Sequence, residues 1–177
     1  MIIGSISENK NIENRVAITP DVLKKYISLG LKVHLCKDYA SHLGISDLEF
    51  KSEGAILSQS DDDVIKKSDA ILQMNVPSDD NLKKLKENQI LIGVLNTYSN
   101  EKKLKEITAR NINCFSLDLL PRITRAQSMD ILSSQANLAG YKAVIDSFSY
   151  FQKAIPMMMT AAGTISAAKV LVVGAGV

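Results

Sequence analysis

The stretch Thr19–Cys36, "TPDVLKKYISLGLKVHLC", holds the repeating step of the fold. Thr19 can accept a hydrogen bond from the first turn of a helix. Pro20 then stands in the first helical position, where its missing N–H costs nothing. An amphipathic run follows, Gly30 supplies the stop, and "KVHLC" reads as a short β-rich strand. The same alternation continues through residues 1–120. "MIIGSI", "AILQM", "ILIGVL" and "NCFSL" are strand-like. Between them lie the helical pieces "SDLEFKSEG", "DDDVIKKS", "DDNLKKLKEN" and "NEKKLKEITARN", with Asp61–Asp63 expected to cap the second of these. Alternation of this kind predicts an α/β fold, a Rossmann-like or flavodoxin-like parallel sheet with helices on both faces.

Composition narrows the function classes. The 177 residues are 46% hydrophobic and 23% charged, as in a globular protein, and the net charge is +2. That balance gives no electrostatic case for nucleic acid or an anionic membrane surface. Cys36 and Cys114 each sit in an apolar run, and a reduced, buried pair fits a cytoplasmic setting. The N-terminus has neither the basic nor the apolar region of a signal peptide. From Ile155 to Val177 the only charge is Lys169, yet Pro156, Thr160, Gly163, Thr164 and Ser166 argue against a membrane helix. His34 and His42 are isolated, without Cys or acid at ligand spacing, so no metal site is expected.

Charge also marks the organisation. Residues 1–120 carry 16 basic and 17 acidic residues, whereas 121–177 carry 5 and 2. From Met129 an apolar stripe at helical spacing (Leu132, Ala136, Ala139, Ala143) predicts a helix of some twenty residues. We therefore expect an N-terminal α/β domain over 1–128, a linking helix over 129–154, and the start of a second, Rossmann domain over 155–177. Met157–Met159 is expected in an irregular link, as packing or an interdomain contact. "KVLVVGAGV" then reads as a short buried strand followed by Gly174-Ala175-Gly176, the first half of a dinucleotide-binding turn, so Gly174 and Gly176 are candidate cofactor-binding residues. The third glycine, the helix and the acidic ribose ligand of that motif are missing here, so the chain is expected to be truncated at the start of this domain; an ordinary strand-to-turn glycine pair is the other reading.

The polar cluster "PRITRAQSMDILSS", Pro121–Ser134, follows a strand-like run and so lies at a strand's carboxyl end, where open α/β sheets bind ligands. Arg122 and Arg125 offer planar donor sets. Gln127 can both donate and accept, as a carboxamide partner requires. Asp130 and Ser133 share a helix face. The same residues can equally be structural, with Asp130 capping the helix, Ser133 and Ser134 bonding backbone, and the arginines solvated.

"PRITRAQSMDILSSQANLAGYKAV" closely resembles the signature of the NAD(H)-binding domain of proton-translocating nicotinamide nucleotide transhydrogenases, which bacteria place in the alpha subunit. "ENRVAITPDVLKKYISLG" and "AAKVLVVGAGV" match the same family, which includes the alanine dehydrogenases, and the likeness covers the whole chain. The resemblance implies a first domain and a Rossmann domain around an NAD(H) cleft. Arg122, Gln127, Asp130 and Ser133 are the matching positions that orient the nicotinamide and its ribose, with Arg122, Gln127 and Asp130 nearest the hydride step. It also implies NADP(H) on a partner component, a membrane domain that moves protons, a homodimer, and a cytoplasmic protein held peripherally at the inner membrane through its partners. Alanine dehydrogenases share an arginine at Arg15 but use a lysine where this chain has Gln73 and a histidine where it has Asn100. Arg15 then reads as a partner for Glu8 or Glu13, or as a structural residue of the family. An amino-acid dehydrogenase and a non-catalytic fragment are the competing readings.

Overall fold

The computed structural model describes residues 1–174, grouped into a first unit, Met1–Asp130, and a second from Ile131 onward. Six parallel strands build the first unit: β1 (Ile2–Ser5), β2 (Lys32–Cys36), β3 (Ile56–Ser58), β4 (Ala70–Gln73), β5 (Ile90–Gly93) and β6 (Asn113–Ser116). Their order is β3-β2-β1-β4-β5-β6. The sheet is Rossmann-like and is flanked by α1 (Pro20–Ser28), α2 (Asp47–Ser52), α3 (Asp61–Lys67), α4 (Asp79–Lys84) and α5 (Glu101–Thr108). β1 pairs with β2 on one side and β4 on the other, with Ile3 opposite both Val33 and Ala70. The winding therefore reverses between β1 and β4, and such a reversal opens a crevice at the carboxyl ends of the strands.

The central strands are buried because helices cover them. Val33, Leu35, Ile71 and Leu91 are fully buried, and α1 adds Leu23 while α3 adds Val64 and Ile65. The Thr19–Cys36 stretch folds as its residues dictate, with the Thr19 hydroxyl accepting from the Val22 N–H and Gly30 turning the chain at φ +76°. His34 is buried, and its Nδ1 has no hydrogen-bond partner among the described residues. Burial, with Lys67 and Lys32 nearby, pushes its pKa down and so keeps the imidazole neutral. Cys36 and Cys114 are unbridged, and burial raises the Cys36 thiol to about 11.

Several expectations change. A sixth strand, β3, is too short to show a period, so the sequence pattern does not reveal it. The cap of α3 is Ser60, whose hydroxyl accepts from the Asp63 N–H, and Asp61–Asp63 fill the first turn instead. The long helix, α6, runs Ile131–Tyr150, and none of its residues is buried. Its apolar groups do not form a single covered stripe, since Leu138, Tyr141, Val144 and Ile145 are all exposed. The strand expected over 169–173 is also not found. It pairs with no neighbour among the described residues, and Leu171 and Val173 are exposed. A strand exists only through its ladder, so an apolar run without a partner stays irregular. Within the second unit, α6 and this tail line an open apolar hollow of about 760 Å³, bounded by Val144, Phe148, Phe151, Ile155 and Leu171.

β1 packs so tightly on α3 that Gly4 has no room for a side chain. A Cβ there would stand 2.2 Å from Ser68 Oγ and 2.8 Å from Val64 Cγ1. Gly4→Ala is expected to lower unfolding free energy by about 1–3 kcal/mol, read as a fall in the urea midpoint at constant slope. An unchanged midpoint would contradict this packing.

Candidate functional site

The crevice between β1 and β4 is built on buried hydroxyls. Tyr39, 2% exposed, accepts from the N–H groups of Ala17 (3.1 Å) and Ile18 (3.2 Å). Both acceptor positions of its oxygen are thereby used, so its proton goes to Ser5 Oγ at 2.7 Å. Ser5 in turn donates towards the Leu72 carbonyl (2.7 Å) and Gln73 Oε1 (3.0 Å), and Gln73 Oε1 also accepts the Ile6 N–H. These bonds join the ends of β1 and β4 to the segment before α1.

Two carboxylates close the same edge. Glu8 Oε1 accepts the Met74 N–H at 2.6 Å. Burial raises its pKa, outweighing the backbone N–H groups of Met74 and Asn75 that favour the ionised form. Glu13, whose side chain is 8% exposed, receives Arg15 Nε at 2.8 Å on one oxygen and Arg15 Nη2 at 2.6 Å on the other. Asn75 Nδ2 adds a bond at 3.1 Å. The Arg15 side chain, outweighing burial, holds the Glu13 carboxyl at about 2. Arg15 thus has the acidic partner that its neighbourhood in the sequence suggests.

The polar cluster lies beyond the carboxyl end of β6. After a 3₁₀ turn at Leu117–Leu119 the chain passes Pro121 into a second one at Thr124–Met129. Arg122, Arg125 and Gln127 are exposed there, while Ala126, 5% exposed, is buried. Asp130 ends the turn half-buried, its N–H bonded to the Gln127 carbonyl at 3.3 Å. Arg122, Gln127 and Asp130 therefore share one continuous turn of the first unit. Ser133 belongs to α6 of the second unit, and the neighbouring Ser134 bonds backbone, its hydroxyl donating to the Ile131 carbonyl. Gly174, also in the second unit, takes φ +91°, and a Cβ added there would meet nothing within 4 Å among the described residues. Gly176 lies outside the described residues. Sequence reasoning missed Ser5, Tyr39, Asn75 and Asp118. Only Tyr39 carries a signal, since a tyrosine beside a buried strand needs a partner for its hydroxyl.

Residues 4–139 match the alanine dehydrogenase/PNT N-terminal domain, and residues 143–177 match the corresponding C-terminal domain. The chain belongs to the alanine dehydrogenase/PNT family. An NAD(P) transhydrogenase alpha subunit of Rickettsia prowazekii is 41% identical over the whole chain, which covers 47% of that protein. The crystal structure of a transhydrogenase from Sinorhizobium meliloti superposes with a TM-score of 0.89 at 39% identity, covering 95% of this chain and 50% of that one. An alanine dehydrogenase of Methanococcus maripaludis is 26% identical, again over the whole chain and 48% of its own length. The chain spans about half the length of the curated relatives it matches.

Gln73 and Asn100, where the resemblance places a dehydrogenase lysine and histidine, are both tied into the fold by hydrogen bonds. Gln73, 4% exposed, is held by Ser5 and Ile6, and Asn100 Nδ2 donates to the carbonyls of Leu95 (3.0 Å) and Asn96 (3.4 Å). Neither supplies an amine or imidazole for a keto acid. No cluster of three or more metal-ligating side chains occurs among the described residues, and no helix among them is long and apolar enough to cross a membrane.

The Glu13 pair sets a pH test. Its carboxyl falls from an ordinary 4.5 to about 2 on folding, so its contribution is complete above 4.5 and disappears as pH drops towards 2. Glu8 shifts the other way and opposes folding as pH rises past 4.5. Urea unfolding of the Glu13→Gln variant is expected to show a flatter acid limb between pH 4.5 and 2 than the parent. Parallel curves would mean that the Arg15 pair contributes nothing to stability.

Proposed function

We propose that the chain is the NAD(H)-side component of a proton-translocating NAD(P) transhydrogenase, transferring hydride between NAD(H) and NADP(H). The observation that carries this reading is the turn over 122–130, which offers a guanidinium, a carboxamide and a carboxylate at the carboxyl end of the sheet in a chain of this family. The donor set fits the group. Gln127 can donate and accept against the carboxamide of a nicotinamide, Arg122 can bind an amide or phosphate oxygen, and Asp130 can accept from a ribose hydroxyl. We assign Ser133 to the same ribose. Gly174, whose φ and open surroundings permit close backbone approach, is assigned with Gly176 to the pyrophosphate.

Bound NAD(H) supplies the redox chemistry. What the protein's residues do is bind and orient, since hydride transfer gains chiefly from a fixed ring and needs little acid–base work from side chains. We assign NADP(H) to a partner component and proton translocation to a membrane domain. The chain would act as a homodimer on the cytoplasmic face, peripheral to the inner membrane, without a metal. Gln73 and Asn100, held by backbone and hydroxyl partners, disfavour the amino-acid dehydrogenase alternative.

Two outcomes test the reading. In the full-length subunit, Gln127→Asn is expected to slow hydride transfer by roughly 10–100-fold with NADH affinity nearly unchanged, because a displaced carboxamide misorients the ring more than it releases it. Equal stopped-flow rates with the NADP(H) component would remove Gln127 from the site. The 177-residue polypeptide alone, whose second unit exposes its apolar hollow, is expected to bind NADH more weakly than the micromolar range. A micromolar Kd by calorimetry would relocate the nucleotide onto the first unit.

A further inference from the structure

We propose that Asp118 is the positioning residue of the 121–130 turn, locking it to the turn that follows β5; the assignment rests on reading 121–130 as the nicotinamide-binding segment. β5 and β6 are neighbours in register, Gly93 opposite Ser116, so the chain leaves both at the same level of the sheet. After β5 it reverses through Asn96, a non-glycine residue at φ +46°. After β6 it enters the 3₁₀ turn that contains Asp118.

The carboxylate of Asp118 spans the two exits. Oδ1 accepts the Leu95 N–H at 3.1 Å and the Ser116 hydroxyl at 2.5 Å. Thr97 Oγ1 donates to Ser116 Oγ at 3.1 Å, extending the chain of bonds back to the β5 turn. The N–H groups of Asn96 and Thr97 also stabilise the charge. With the Ser116 hydroxyl they overcome the effect of burial, which pushes the carboxyl up, and leave it below the ordinary aspartate value. An anion facing successive backbone N–H groups is an orienting device, because the donors are fixed and converge on one point. Asn100 holds the far side of the same turn through the Leu95 and Asn96 carbonyls.

From Asp118 a series of short backbone bonds runs forward. The Leu120 N–H bonds to the Leu117 carbonyl, Ile123 to Pro121, Ala126 to Ile123, and Asp130 to Gln127. Pro121 fixes its own φ within this series. The turn is thus pinned twice, at Asp118 and at the buried Ala126, and the exposed Arg122 and Arg125 lie between the pins. Loss of the first pin removes the carboxylate that accepts the Leu95 N–H and the Ser116 hydroxyl, and lets the turn swing about Ala126. Asp118 itself contacts no reacting group in this scheme.

The test uses the full-length subunit with its NADP(H)-binding component and the variant Asp118→Asn, which keeps the shape and loses the charge. Trypsin cleavage after Arg122 and Arg125 is expected to quicken about tenfold, as a local opening becomes easier. Turnover is expected to fall about tenfold with KM for NADH nearly constant, and Asp118→Glu is expected to recover part of both. Wild-type cleavage rates in Asp118→Asn overturn the assignment, as does a loss confined to KM. Should Asp118→Asn melt below the assay temperature, Ser116→Ala removes the hydroxyl's bonds to Asp118 and from Thr97 but leaves the Leu95 N–H bonded to the carboxylate. It is then expected to move cleavage and turnover in the same direction by less, and no movement in either overturns the assignment. A wild-type subunit that neither binds NADH nor passes hydride defeats the functional reading instead. The cleavage rates then still decide Asp118 alone, faster in Asp118→Asn upholding the pin and unchanged rejecting it.

Discussion

The Tyr39 phenol has one proton to give, and two backbone N–H groups already point at its oxygen. That arithmetic fixes the direction of every bond around it. The proton must go to Ser5, Ser5 must donate onward to β4, and Gln73 must present its oxygen rather than its nitrogen to Ser5 and Ile6. Each bond contributes only about 1 kcal/mol net, but removing a partner leaves a buried polar group at a cost of about 1–3 kcal/mol. The carboxyl edge of the sheet between β1 and β4 is therefore rigid because its polar groups have no alternative partners. Phe50 closes it from the side, edge-on to Tyr39 at 5.8 Å.

A crevice at the point where the winding reverses is the ordinary place for a ligand in an open α/β sheet. Here the protein's own groups fill it. Glu13 and Arg15 satisfy each other, Glu8 takes the Met74 N–H, and Gln73 serves backbone and hydroxyl. Charges as close as those of Glu13 and Arg15 are costly to separate once partly desolvated, so this edge resists admitting a competing small anion. The exposed donors lie instead at the end of β6, on a turn whose side chains are turned outward and whose backbone is bonded to itself. The two edges divide the work of the first unit between holding the fold and presenting polar groups.

What the sequence discloses follows from how local each cause is. Five of the six strands and the caps at Thr19 and Ser46 depend on residues close in the chain, and they can be read directly. β3 has three residues and cannot display a period. Arg15 and Glu13 stand two apart, so their pairing is legible. The Ser5–Tyr39–Gln73 bonds join residues 34 and 68 apart, and no pattern announces them. Asp118 is hidden for another reason. Besides the nearby Ser116 hydroxyl, its partner is the backbone N–H of Leu95, 23 residues away, and a group that every residue but proline carries leaves no mark in the sequence. The 122–130 turn is visible as a polar cluster, although its exposure and its second pin at Ala126 belong to tertiary structure.

The second unit differs from the first in kind. In the first, each apolar strand finds two neighbours or a neighbour and a helix, and so becomes a strand. The run at 169–173 is as apolar as β5, yet it forms no ladder among the described residues, and α6 buries none of its side chains. Sequence apolarity at these places states a demand for partners rather than a structure already achieved. A helix apolar on every side satisfies that demand only when it is surrounded. The hollow between α6 and the tail, lined by Val144, Phe148, Phe151 and Leu171, has the composition of a core with one wall open. Gly174 follows Val173 at φ +91°, a left-handed conformation that glycine takes without strain. A ladder along 169–173 would both cover the hollow and set the direction in which Gly174 points, so the packing of this unit and the geometry of its glycine turn are coupled.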